Sequence, residues 1–596
     1  MAKELKRCEV DQKLTWDLSP LFASDEECIA AFTKTLAEAS SFKEKYSGKI
    51  KTAKDVISCM KECRTLAEAM DRIGNYVFLG IETDYTDAKK LDLMNRGTAF
   101  QGEVSGILSF LDSDLSLLDD SILKEVIATS PDDATYIKEI LKNKPHKLHP
   151  KVEETLAYLS PVLSNTQTIY GAAINSDLSY PPFKTKNEEV PLTFTGFEGA
   201  LEYDVDTEKR RAAFEAFYNG LKSYENTLAT NYESQLTQQK IIAGLRGYKD
   251  VFDYLLSDQN VTADMYNRQI DIIFERLAPH MRKYAGLIQK IYGLERMTFA
   301  DLKLPIDPTY KEEITLESAK RDILQAVSVM GEDYCAFVKN TLESRRVDYV
   351  QNKGKASGAF CSSPYHRGAF ILMSWAGVMA DVYTLAHELG HAGHFWLAGQ
   401  HCNAIDSNAV STYFVESPST MHELLLSNYL MKNAKDNRTK RMALSLLVSN
   451  TYYHNFVTHL LEGHFQRKLY RLVQKGESVA SRLTELKLET LRDFWGDAVE
   501  IPDYAGLTWM RQIHYYMGLY SYTYSAGLTI STAASLKIAK GEAGAVENWK
   551  EALKTGGRLT PLEFAAKAGL DLTTNEPFIQ TIEHIGHLID EIITLS

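Results

Sequence analysis

Tyr383-Thr-Leu-Ala-His387-Glu388-Leu-Gly-His391-Ala-Gly-His394 is the stretch that decides both the fold and the chemistry of this 596-residue chain. Residues four apart on a helix share a face and stand about 6 Å apart along the axis, so the imidazoles of His387 and His391 can converge on one ion. Glu388 lies beside the first imidazole and can take a proton from a water on that ion without binding the ion itself. Two neutral imidazoles and one carboxylate leave a fourth position open for water, which suits zinc. The flanking Leu385, Ala386, Leu389 and Gly390 are apolar and small, as a buried helix needs. Gly390 and Gly393 weaken a helix for no local reason, which predicts that something packs close against them.

A third ligand is needed. His394 shares the face of His387 but lies about 10 Å further along the axis, too far for three rings to meet on one ion in a straight helix. It is expected in an outer position or as a satisfied core histidine. Glu416 is the better choice. It opens Val415-Glu416-Ser-Pro-Ser-Thr-Met-His-Glu423, which runs on as an apolar helix through Leu424, Leu425 and Leu426. A carboxylate in such surroundings is costly unless something positive pairs with it. Glu423, seven residues on, can hydrogen-bond a ligand imidazole from behind.

Upstream, the window from Gly368 to Ala386 is apolar, but it contains Ser374, Gly377 and Asp381 and runs into the histidine motif. It reads as a buried strand followed by a buried helix, not as a membrane span. Gly354, Gly358 and Gly368 punctuate short apolar runs, notably Ala369-Phe-Ile-Leu-Met-Ser-Trp, which predict one or two strands.

The rest of the chain reads as helix. Only 16 prolines and 34 glycines occur in 596 residues, which favours long helices over a turn-rich β design. Amphipathic periodicity with polar breaks fills the first 165 or so residues. Three prolines and the alternating Val190-Pro-Leu-Thr-Phe-Thr, around a central Lys-Asn-Glu-Glu, predict a β-hairpin between Leu178 and Phe197. This divides the chain into an N-terminal helical lobe, 1–200, and a second unit, 201–596. Asp206 and Thr207 can cap a long helix whose stripe is Phe214, Phe217, Tyr218, Leu221, Tyr224 and Leu228. The expected class is mostly α with a small sheet beside the motif helix.

Lys and Arg number 66 against 79 Asp and Glu, a formal charge of −13 with no basic tract, so nucleic acid is not an expected partner. The N-terminal Met1-Ala-Lys-Glu-Leu-Lys-Arg-Cys-Glu has charges with no apolar run behind them and does not read as a signal peptide. Seven cysteines, few and odd in number, suit reduced thiols in a cytoplasm. Cys59 and Cys63 could share a metal but lack a matching pair nearby, and read as small half-buried residues.

The resemblance becomes specific at the two histidines, Glu388 and Gly390, followed 25 residues after His391 by Val-Glu416-Ser-Pro-Ser-Thr-Met. These look like the zinc site of the thimet oligopeptidase family, and most closely its bacterial oligoendopeptidase F branch. Trp16-Asp-Leu-Ser-Pro-Leu-Phe, Arg210-Arg-Ala-Ala-Phe, Gly358-Ala-Phe-Cys-Ser-Ser-Pro-Tyr365 and His514-Tyr-Tyr are similar to that branch too, so the likeness spans essentially the whole chain. The resemblance implies two helical lobes enclosing a deep channel that admits short peptides and excludes folded proteins. It implies one zinc ion per chain on His387, His391 and Glu416, with Glu388 as general base.

It also implies an oxyanion donor near the C-terminus. His514 to Tyr524 holds five tyrosines and a histidine in eleven residues. His514, Tyr522 and Tyr516 are the expected catalytic groups, with Tyr520 a further contact to substrate; a phenol aimed at an oxyanion is worth about 3 kcal/mol. The strand from His366 to Met373 is expected to be an edge that pairs with the peptide backbone, placing His366, Gly368 and Ala369 at the substrate. The expected activity is zinc-dependent endopeptidase cleavage of short peptides in the cytoplasm, with no membrane or nucleic-acid partner. Two other readings stay open: a zinc carboxypeptidase on a similar helical scaffold, and a peptide-binding protein without catalysis. Release of single C-terminal residues would select the first. Indifference to Glu388→Gln would select the second. The oligomeric state leaves no trace in the sequence.

Overall fold

Side-chain caps set the first helices. Ser24 accepts from the Glu27 amide to start Asp25–Tyr46, and Thr52 and Asp55 form a reciprocal capping box at the start of Ala53–Glu82. Along Asp25–Tyr46 the buried residues Cys28, Phe32, Thr35, Ala39, Phe42 and Tyr46 recur every three or four positions. They meet Val56, Met60, Cys63 and Leu66 of the second helix, and Phe32 stacks on Phe100 of Ala88–Leu108 at 4.8 Å. Cys59 and Cys63 are buried thiols, and all seven cysteines are free.

The computed structural model describes residues 5–186, 188–310 and 314–596. Met1 to Glu4 and Asn187 of the expected hairpin turn lie outside the described residues. Among the described residues the chain is mostly α with two small sheets. None of the described helices is long and apolar enough to cross a membrane.

Two strands, β1 (Phe183–Lys184) and β2 (Glu189–Val190), pair antiparallel as the expected hairpin. Asp206 caps Thr207–Lys222 by accepting from the Lys209 amide. Phe214, Phe217, Tyr218, Leu221 and Leu228 of the stripe beyond it are buried, but the helix breaks at Ser223 and the half-buried Tyr224 before Glu225–Leu245 resumes.

Apolar side chains gather into two cores. One runs from Trp16 to Ile140, the other from Tyr170 to Ile592. The hairpin belongs to the second: Phe183, Val190, Leu192 and Phe197 pack there, with Phe197 stacked 4.0 Å from Phe217. The boundary expected at residue 200 therefore falls inside the second core.

The seam between the cores is a three-stranded sheet of β3 (Val347–Asp348), β4 (Phe360–Ser362) and β5 (Phe370–Leu372), in the order β3-β5-β4. Side chains on a strand alternate faces. Phe370 and Leu372 accordingly enter the first core, while Ala369, Ile371 and Met373 enter the second. Each face meets a lobe, which is why this run is apolar at every position. Asp348 on β3 is buried with Lys355, whose ammonium reaches it at 2.8 Å, and Arg7 pairs with the same carboxylate from the N-terminal segment.

Candidate metal centre

The motif lies in the helix Met379–His401, which packs along the helix Ser417–Lys432. Their approach explains Gly390, and Tyr334 on a third helix, Glu332–Glu343, explains Gly393. A Cβ on Gly390 would stand 2.4 Å from the Pro418 carbonyl oxygen, and one on Gly393 would stand 1.9 Å from the Tyr334 hydroxyl. Only glycine lets the two helices come this close, and the closeness delivers Glu416 to the histidines.

Glu416 sits at the N-cap of its helix without capping it. Its Oε2 lies 3.2 Å from His387 Nε2 and 3.3 Å from His391 Nε2, and accepts a hydrogen bond from the Ser419 hydroxyl at 3.0 Å. Two donors held at 2.0–2.2 Å on a tetrahedral ion stand about 3.4 Å apart, so both histidine–glutamate separations match such an ion. Among the described residues they form one of two groups whose metal-capable atoms all lie within 4.8 Å of one another.

Glu423 holds the first ligand from behind. Its Oε1 is 2.7 Å from His387 Nδ1, and its other oxygen accepts from the Thr451 hydroxyl. A proton on Nδ1 leaves the Nε2 lone pair for the ion. Burial disfavours charge on His387, but its bonds to Glu416 and Glu423 outweigh this and hold its pKa well above the usual value. Burial likewise raises Glu416, and the two histidines outweigh it, holding the carboxyl well below its usual range. Each of these sites attracts positive charge, as a cation site must.

Glu388 is 6% exposed. Burial pushes its pKa up, against the pull of His387 and His391, which suits a group that must hold and return a proton. It opens onto a cleft of about 680 Å³ together with His387, Glu416, Gly358, Ala359, Ser374, His454 and Tyr524.

The other expected site residues are distributed unevenly. His394 is fully buried, neither ring nitrogen has a hydrogen-bond partner among the described residues, and its ring stacks on Phe395. It touches none of the ligands by hydrogen bond and stands as a core histidine.

Tyr522 and Tyr516 turn away from the cleft. Tyr522, 1% exposed, donates to Gln259 Oε1 at 2.5 Å and lies edge-on to Tyr266. Tyr516 accepts from Asn231 and packs on Tyr170. Of the five tyrosines between His514 and Tyr524, the one that lines the cleft is Tyr524, which was not among the expected catalytic groups. The reason is the helix start at Tyr522. Within that helix, at 100° per residue, Tyr524 points about 160° away from Tyr522. Tyr520 and Tyr524 rings are 5.4 Å apart, and His514 is 5.4 Å from the first and 5.6 Å from the second.

The substrate strand also needs correction. β5 is the middle strand, paired on both sides, so it has no free backbone edge; the edge strand nearest the motif helix is β4. His366, Gly368 and Ala369 line a separate cavity with Arg346, Tyr365 and Trp396, whose motif-helix wall is Ala392, Phe395 and Gly399 rather than Glu388.

The chain is similar to known proteins along nearly its whole length. Residues 200–584 match peptidase family M3, and residues 115–180 match the family described as oligopeptidase F. Oligopeptidase PepF of Bacillus subtilis is 27% identical over 99% of this chain and 89% of its own length. An oligoendopeptidase F homolog of Borreliella burgdorferi is 27% identical over 99% of both chains. Two solved structures share the fold: one from Chlamydophila abortus, with a TM-score of 0.89 at 21% identity over 100% of both chains, and oligoendopeptidase-F from Enterococcus faecium, with 0.73 at 22% identity over 96% of this chain and 99% of that one. With two histidines and a glutamate converging where the family match runs unbroken across most of the sequence, the chain belongs to peptidase family M3.

Proposed function

We propose that the protein is a zinc-dependent oligoendopeptidase that hydrolyses internal bonds of short peptides. The observation that carries this reading is the convergence of His387, His391 and Glu416 with Glu388 beside them in an open cleft. His387, His391 and Glu416 would hold one zinc ion. Bound there, zinc supplies Lewis acidity toward the scissile carbonyl and toward the attacking water.

The chain's own groups do the rest. Glu388 takes the proton of the attacking water and passes it to the leaving amine. Glu423 keeps the His387 ring turned toward the ion. Tyr524, with Tyr520 and His514 around it, is placed to donate to the oxyanion as the carbonyl carbon becomes tetrahedral. Gly358 and Ala359 lead into the edge strand β4, whose backbone can pair with an extended peptide and so read many sequences. The two helical lobes would limit substrate length by the depth of the channel between them. Free thiols throughout favour a cytoplasmic setting.

Mass spectrometry of a peptide ladder of about 5 to 30 residues, with a folded protein included, tests this. Internal cuts confined to the short peptides and abolished by a chelator are expected. Stepwise loss of single C-terminal residues would replace the reading with a carboxypeptidase, and an uncut ladder from zinc-loaded protein would overturn it in favour of a binder.

A further inference from the structure

The second group of converging metal-capable residues lies outside the centre just described: His459, Glu462 and His514 have donor atoms within 4.8 Å of one another. His454 lies outside that group but against it, its Nε2 3.1 Å from His459 Nε2. His459 and Glu462 are each 1% exposed, while His454 lines both the peptide cleft and an adjoining cavity of about 690 Å³ that His459 and His514 also line.

The backbone is unusual here. Leu447–Thr458 is a π-helix, and the His459 amide bonds back to the His454 carbonyl. In an α-helix, residues five apart diverge by about 140°; the wider π turn brings them onto one face, and such segments concentrate at functional sites.

The ring geometry repeats that of the first centre. Glu462 Oε2 is 2.8 Å from His459 Nδ1, as Glu423 is 2.7 Å from His387 Nδ1. The other nitrogen then faces a further donor at 3.1 Å, against 3.2 Å at His387. Nitrogens 3.1 Å apart are close to the separation of about 3.3 Å that two ligands adopt on one tetrahedral ion. His514 Nδ1 is buried and has no hydrogen-bond partner among the described residues, a costly state that coordination would relieve.

We propose that His454, His459 and His514, with Glu462 behind His459, bind a second first-row divalent cation of the zinc, cobalt or nickel class, beside the peptide-cleaving centre. Three imidazoles select such ions over calcium or magnesium.

The test is zinc content. Apo-protein of the full chain would be loaded with Zn²⁺ alone, desalted, and assayed by elemental analysis, with circular dichroism to confirm folding. Two equivalents are expected in the wild type, one in His391→Ala, one in His459→Asn, and none when both are combined. His514→Gln is a second probe, should His459→Asn misfold, and is likewise expected to hold one. A wild type that saturates at one equivalent, unchanged in His459→Asn or His514→Gln, would overturn the second site, as would two equivalents retained in those variants. An equivalent lost in His459→Asn but not in His391→Ala would keep this site and overturn the zinc assignment of the first.

Discussion

Around His387 a carboxylate holds Nδ1 at 2.7 Å and Nε2 faces a second donor at 3.2 Å; around His459 the same two distances are 2.8 and 3.1 Å. The backbones differ. His387 and His391 are one α-turn apart on a helix clamped through Gly390 onto Pro418. His454 and His459 are one π-turn apart, at the point where a π-helix passes into the helix His459–Gln474. Tyr524 belongs to both regions, lining the cleft with Glu416 and stacking on His459 at 4.0 Å. The difference teaches that equivalent ring geometry can come from unlike helical periods. Only the α-period is legible as a motif.

The comparison can be broken first at Glu388, which has no counterpart at the second cluster. Glu388→Gln is expected to lower turnover by about 10²–10⁴-fold, with zinc content unchanged, as measured by peptide hydrolysis and elemental analysis on the same preparation. A smaller loss, about 10²-fold in kcat, is expected for Tyr524→Phe. Tyr522→Phe should instead leave kcat nearly unchanged and cost stability through its lost bond to Gln259, about 1 kcal/mol. Equal kcat losses would return Tyr522 to the oxyanion.

The carboxylates behind the rings sharpen the parallel. Glu423→Gln should weaken zinc binding at the first centre by about 10- to 100-fold, read by competition with a chromophoric chelator.

The smallest effect concerns a histidine that belongs to neither cluster. Burial lowers the pKa of His394 to about 3. The unfolded chain, with an ordinary histidine near 6.5, then binds the proton that the folded chain refuses. Stability from this residue is therefore complete above about pH 6.5 and drains as pH falls toward 3. His394→Leu removes the penalty, so its stability relative to wild type should improve by about 2 kcal/mol on going from pH 8 to pH 5, measured by urea unfolding. An unchanged difference would mean that His394 is solvated or partnered.

Much of this was legible in the chain itself. The i,i+4 histidines, the acid between them and the carboxylate 25 residues on are chemistry written in local spacing, and the close packing at Gly390 and Gly393 followed from glycine's helix cost. The apolar run at Phe370 announced a strand, but not that its two faces serve two cores, because alternation vanishes when both faces are buried. For the same reason its central position in the sheet was hidden, and with it the correct edge strand. The tyrosines failed for want of a helix start: without knowing that the helix begins at Tyr522, nothing separates Tyr522 from Tyr524. The boundary near 200 rested on a real hairpin, yet a hairpin's texture does not say which core will bury Phe183 and Phe197.

The central claim is that His387, His391 and Glu416 hold the ion that peptide hydrolysis requires. Titrating apo-protein with zinc while following cleavage of a quenched fluorescent peptide tests it most directly, with wild type and His391→Ala side by side. The account predicts that wild-type activity rises with added zinc to a plateau, while His391→Ala stays inactive across the same range despite being folded. Wild-type levels of zinc-dependent cleavage in His391→Ala would contradict it.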